Sequence, residues 1–277
     1  MADARLAYDV WVTVIGDDDL YRAVLAGTHR ELARDFSAAQ LAILDELHAA
    51  PGTRWNIENL RFRSALEVGA TLSSYLPRTI KLLTKGEDQW LQDIAYEYIS
   101  YYRWTEQGHH RLGECERFGT YARERIMKRR LVPPHFEAIM DYELSLVRLL
   151  KRTASVTTWP QPVDVDDVEL GGWHVRRGPA VELVRLPVDV RAWIESNDPW
   201  SGEVIERPLV LVAYVRSLQE THRIKILGEG PQVVLEQLDG SRSLDAVALE
   251  LDDEFGIERG QLFAMVRDWL AEGILTR

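Results

Sequence analysis

The densest cluster of side chains able to hold a metal is His109 and His110, with Glu106, Glu114, Cys115 and Glu116 close by. His110 and Glu114 stand one helical turn apart, a spacing that presents two ligands to one ion. Gly108 and Gly113 weaken a helix there, so the same residues also read as a solvated turn, and further ligands would have to come from elsewhere. Asp17, Asp18 and Asp19 could receive a cation, but acids at the start of a helix are favoured by its dipole alone. No glycine-rich phosphate loop of the common types is present, and no serine lies in a nucleophile elbow. Cys115 sits between Glu114 and Glu116, which disfavours the thiolate that a nucleophile needs. The basic run Arg123, Arg125, Lys128, Arg129 and Arg130 could hold an anion or a protein partner, and it is also what a helix C-terminus favours.

Aromatic residues are more suggestive. Trp55, Tyr75, Trp90, Tyr96, Tyr98, Tyr101, Tyr102 and Trp104 crowd into about 50 residues. Aromatic side chains are enriched where proteins meet, because they bury much area at low entropy cost. Tyr98, Tyr101, Tyr102 and Trp104 are therefore candidates for a partner-binding face, and equally for a helix wedged inside the chain.

The elements that would position these groups fall into two textures. Residues 1–152 carry apolar residues at three- and four-residue spacing with few prolines, which predicts an all-α helical bundle. Its helices run from Asp17 to Asp35, Ser37 to Ala49, Ile57 to Tyr75, Pro77 to Leu83, Asp88 to Trp104, Leu112 to Arg129 and Pro134 to Arg152. Ser37 is placed to cap the second, with Gln40 completing a capping box. Residues 153–180 form a linker or crossing segment. Residues 181–277 predict strands at Ala180–Leu186, Leu209–Arg216 and Thr221–Leu227, then helices at Pro231–Leu238, Ser243–Phe255 and Arg259–Glu272. Gly240, Gly256 and Gly273 punctuate those helices. The expected fold class is α+β, a helical bundle followed by a small winged-helix-like domain of antiparallel strands plus three helices.

Composition narrows the function. The chain has 277 residues, 46% hydrophobic and 28% charged, with a net charge of −11 and one cysteine. That length suits two domains. A lone cysteine rules out an internal disulfide and suits a reducing compartment. The longest uncharged apolar run, Leu209 to Val215, is far short of the roughly 20 residues a membrane helix requires, so a cytoplasmic location is expected. Residues 156–277 hold 12 Lys and Arg against 22 Asp and Glu. A surface of that sign repels nucleic acid and anionic lipid, and neither is expected as a partner.

Two stretches resemble known families. The segment VVLEQLDGSRSLDAVALELDDEFGIERGQLFAMVRDWLAEGILTR resembles the PqqD-like family, the recognition element that binds precursor peptides in ribosomal peptide natural-product biosynthesis. The resemblance covers about 70 residues and rests on Leu238 to Gly240, Ser243 to Leu251 and Leu270 to Leu275. The stretch GATLSSYLPRTIKLLTKGEDQWLQDIAYEYISYYRW, with ERFGTYARERI after it, is similar to the helical domain of accessory proteins that partner multinuclear non-heme iron oxidative enzymes.

Together these resemblances imply a non-catalytic accessory subunit. It would bind the leader of a precursor peptide and deliver it to an iron-dependent peptide-modifying enzyme as part of a hetero-oligomer, with the iron in the partner and no cofactor or metal in this chain. They favour leader addition as an extra strand along Thr221–Leu227, with Arg259–Glu272 as the groove wall. The implied peptide-binding residues are Arg223, Ile224, Lys225 and Ile226 of the strand and Phe263, Val266, Arg267 and Leu270 of the helix. Alternation places Arg223 and Lys225 on one face, suited to an acidic leader, and Ile224 and Ile226 on the other. The sequence leaves open whether Val181–Leu186 joins that sheet, and with it which edge is free. The rival readings are a winged-helix transcription regulator, for which Arg259–Glu272 offers few base-reading side chains, and a metal-dependent enzyme built on His109, His110 and Glu114.

Overall fold

Helix starts and stops follow the capping chemistry of the chain. The computed structural model describes residues 4–85, 88–102, 111–129, 132–133, 135–159, 167–196 and 204–277. It is α+β and divides into two compact units, Met1–Val132 and Pro133–Arg277.

In the first unit the described secondary structure is helical: α1 (Ala4–Gly16), α2 (Asp18–Ala26), α3 (Ala38–Ala49), α4 (Thr53–Tyr75), α5 (Pro77–Thr84), α6 (Asp88–Tyr102) and α7 (Arg111–Tyr121), with a short helical turn, His29–Leu32, between α2 and α3, so the helix expected over Asp17–Asp35 is broken at the left-handed cap Gly27. A π-helical turn, Ala122–Ile126, and a last turn, Met127–Arg129, continue α7. The Asp17 carboxylate accepts from the N–H groups of Asp19 and Leu20, so this acidic run is a helix cap. Ser37 and Gln40 form the expected capping box on α3. α1 lies ahead of the first helix expected from sequence. Its second half is rich in β-branched residues, which weakens helix propensity, but burial of Val10, Val14 and Ile15 holds it helical.

The second unit contains α8 (Phe136–Thr153), α9 (Asp167–Gly171), β1 (Arg176–Arg177), β2 (Val181–Leu186), α10 (Arg191–Glu195), β3 (Leu209–Tyr214), β4 (Arg223–Leu227), α11 (Glu229–Gln237), α12 (Leu244–Phe255), α13 (Arg259–Glu272) and β5 (Leu275–Thr276). β2, β3 and β4 form an antiparallel sheet in that order, and β1 pairs separately with β5. Three helices follow β4, the expected winged-helix-like arrangement. One face of the sheet, including Val181, Val212, Tyr214 and Leu227, shares a core with Val234, Leu251, Phe263 and Trp269 from α11 to α13. The other face packs on α8, where Arg148 donates to Glu182 at 3.0 Å.

This layering moves the domain boundary. Sequence periodicity ends the bundle at residue 152, whereas the contacts of α8 lie with the sheet and the division falls after Val132. An amphipathic stripe states that a face is buried, not what covers it. Part of the expected linker is also core: Leu170, Trp173 and Val175 are buried among the helices of the second unit. Among the described residues, no helix is long and apolar enough to cross a membrane.

Candidate functional site

The sheet has two edges, and they differ. β2 is largely buried, and the Val181 carbonyl accepts from Arg152 Nη1 at 2.9 Å. β4 pairs with β3 alone, and among the described residues no other strand lies on its outer side. Val181–Leu186 does join the sheet, at the opposite edge from β4.

Register fixes where each β4 side chain points. Lys225 is opposite Val212 and Arg223 is opposite Tyr214, so both basic residues stand on the face that packs against α11–α13. Ile224 and Ile226 pair with Ala213 and Leu211 and take the other face, as alternation requires. Lys225 Nζ reaches Glu272 Oε2 at 2.8 Å, bridging the edge strand to the end of α13, and Arg223 reaches Glu220 at 3.2 Å. Ile226 is exposed and Ile224 half-buried.

The helix side of the expected groove is different from its sequence reading. Phe263, Val266 and Leu270 are 1%, 0% and 4% exposed and belong to the core, so they present no surface to a peptide. With Leu262 and Trp269 they make one continuous apolar stripe, which inward packing explains. Arg267 is half-buried and stays on the accessible side with the exposed Ala264 and Asp268. Glu272 is the residue that sequence reasoning missed. No basic residue occupies the last turn of α13, and an acid there opposes the helix dipole, so its position signals a partner such as Lys225.

The aromatic face of the first unit also divides. Tyr98 is 1% exposed, and its hydroxyl donates to the buried Glu114 carboxylate; burial, then Glu114, push the phenol pKa far above its ordinary value. Its ring packs edge-on against Tyr102, Phe118 and Tyr121 at 5.4–5.6 Å. Tyr98 is therefore core, not a partner contact. Tyr101 is exposed, donates to Glu124 at 2.8 Å and lies under Arg125 at 4.7 Å. Tyr102 is half-buried with its hydroxyl toward the Arg117 carbonyl at 3.4 Å. Trp104 lies outside the described residues, as do Glu106, His109 and His110.

Cys115 is buried, with its Sγ toward the Arg111 carbonyl at 3.5 Å. Glu114 is held by Tyr98 and by Arg117 at 3.1 Å. Among the described residues no group of three His, Cys, Asp or Glu side chains could hold a metal ion. Compared with known proteins, the chain matches no family model and no curated sequence.

Proposed function

We propose that this chain is a non-catalytic, cytoplasmic partner protein that captures the leader of a ribosomally made precursor peptide and presents it to an iron-dependent oxidative enzyme. The carrying observation is the open outer edge of β4 beside a basic side-chain pair. An extended leader would add to that edge as a fourth strand, gaining main-chain hydrogen bonds along Arg223–Leu227. Specificity would come from alternate side chains: acids toward Arg223 and Lys225, apolar groups toward Ile224 and Ile226. At the β2 edge the strand is more buried and the Val181 carbonyl is already taken by Arg152, which favours β4 as the acceptor.

In this reading the helical unit holds the enzyme through exposed aromatic residues such as Tyr101. Tethering leader and enzyme to one chain raises the effective concentration of the modifiable segment at the iron centre. The resemblance of the two halves to a PqqD-like element and to accessory proteins of iron enzymes supports the same division of labour.

The test pairs co-purification with the candidate iron enzyme and titration of a leader peptide. The wild-type chain should form a stable complex and bind the leader with a Kd of roughly micromolar order, weakened tenfold or more, about 1.4 kcal/mol, by the Arg223→Glu, Lys225→Glu double substitution. A chain that ignores both partners and purifies with a stoichiometric metal of its own would replace this reading with an enzymatic one.

A further inference from the structure

We infer that the helical unit carries a second binding site: a cleft between α2, α4, α6 and the π-helical turn that takes a small organic anion bearing a carboxylate or phosphate group. The cleft is an open depression of about 770 Å³, within the roughly 300–1,000 Å³ span of small-molecule sites. Its charged lining is Arg22, Arg61, Arg125 and Arg129 against Asp18 and Glu97. This local excess of cations stands in a chain whose net charge is −11.

The four arginines are not equivalent. Arg61 is 8% exposed and committed to the fold: it donates to the Ile15 carbonyl at 3.0 and 2.7 Å and to Asp18 at 2.6 Å, closing the end of α1. That pairing neutralises one of the two acids. Glu97 accepts from Tyr121 at 3.3 Å. Arg22, Arg125 and Arg129 have no ion pair among the described residues and all face the same cleft.

Arg125 is prepared for an anion. Its guanidinium carbon stands over the Tyr101 ring at 4.7 Å, a cation–π contact that holds the group in place without using its N–H donors, which can then take an oxyanion in bidentate fashion. Arg61 lies in the same way over Tyr21 at 4.4 Å on the floor. Arg125 sits inside the π-helical turn, where Met127 N–H reaches back to the Ala122 carbonyl. Such turns recur at binding sites, and Arg125 within the turn and Arg129 four residues on line the same opening.

A nucleic acid would need a basic track along a surface, whereas these arginines are gathered in one depression with Asp18 and Glu97 among them. The site is separate in sequence and in test from the leader-binding edge, so either can fail alone.

Calorimetric titration of the full chain at low salt uses inorganic phosphate and citrate as probes, the tighter one identifying the preferred oxyanion. One of them should bind saturably at one site, at least tenfold more weakly in Arg125→Gln and in Arg22→Gln, and within twofold of wild type in Lys128→Gln. Lys128 is exposed, lies near the same turn and does not line the cleft. Arg22 is exposed, so its variant keeps the test decisive if Arg125→Gln loses helical circular dichroism. Absence of saturable binding by either probe at millimolar concentration overturns the inference, as does an equal loss in all three variants, which would reflect general charge.

Discussion

Lys225 Nζ meets Glu272 Oε2 at 2.8 Å, so the edge strand β4 and the last turn of α13 are joined by an ion pair beside the proposed leader-binding edge. Both side chains are about one-third exposed, and such a pair contributes under about 1 kcal/mol to stability. Its greater consequence is competition, because an acidic leader must draw Lys225 away from Glu272. Glu272→Gln should therefore tighten leader binding about threefold, roughly 0.6 kcal/mol, with little change in thermal midpoint. Fluorescence anisotropy with a labelled leader measures this; equal or weaker binding would remove Lys225 from the recognition surface.

Tyr98 and Tyr101 are three residues apart on α6 and should respond oppositely to substitution. Tyr98→Phe strips the hydroxyl from the buried Glu114 carboxylate, and a buried acceptor left short of a donor costs about 1–3 kcal/mol. Urea unfolding should report that loss while association with the enzyme partner survives. Tyr101→Ala should weaken association and change stability less, since Tyr101 is 37% exposed against 1% for Tyr98. A Tyr98→Phe chain as stable as wild type would show that Arg117, at 3.1 Å from Glu114, suffices to hold that carboxylate.

Much of this fold was legible because local chemistry and tertiary packing agree. Ser37 with Gln40, and Gly256 and Gly273 in left-handed caps, announce their helix ends in the sequence and keep them in the structure. α1 was not legible, because its β-branched run has weak intrinsic helix preference and is held by burial supplied from elsewhere. The partner of α8 was equally hidden, since periodicity marks an apolar face without naming the surface that covers it. Along the candidate groove, alternation sorted Arg223 and Lys225 from Ile224 and Ile226 correctly, as a strand with period two must. The same reasoning could not separate core from wall on α13, where Phe263, Val266 and Leu270 turn inward. The cleft arginines come from α2, α4, the π-helical turn and the last turn after it, and only folding brings Arg22 and Arg61 to Arg125 and Arg129.

Gly178 is a position where only hydrogen fits. Its N–H donates to the Ile274 carbonyl at 2.8 Å, and a Cβ there would stand 2.8 Å from the Gly273 carbonyl oxygen. The obstacle is backbone, which cannot rotate away as a side chain could. Gly178→Ala should destabilise the chain by about 1–3 kcal/mol by parting β1 from β5. Gly260→Ala in the first turn of α13 meets nothing within 4 Å and should be neutral or stabilising by up to about 1 kcal/mol. Thermal denaturation of the two variants side by side checks the contrast; equal midpoints would show that the β1–β5 contact yields freely.

Asp189 links acidity to the stability of the second unit. Its carboxylate is 2% exposed and accepts from Arg191 at 2.7 Å and Arg207 at 2.9 Å. The Arg191 hydrogen bond above all, with Arg207 beside it, outweighs the opposing effect of burial and lowers the carboxyl from 3.8 to about 2. A carboxyl depressed in the folded state stabilises the fold fully above its unfolded value, and that contribution drains away as the pH falls from about 4 towards 2. Both guanidinium groups are substantially exposed, and solvent screening holds the contribution to about 1–2 kcal/mol. Asp189→Asn should thus be less stable than wild type by that amount at pH 7, with the gap narrowing below about pH 4. Urea midpoints of both chains across that range give the answer, and a gap that stays constant with pH would assign the loss to hydrogen-bond geometry in place of charge.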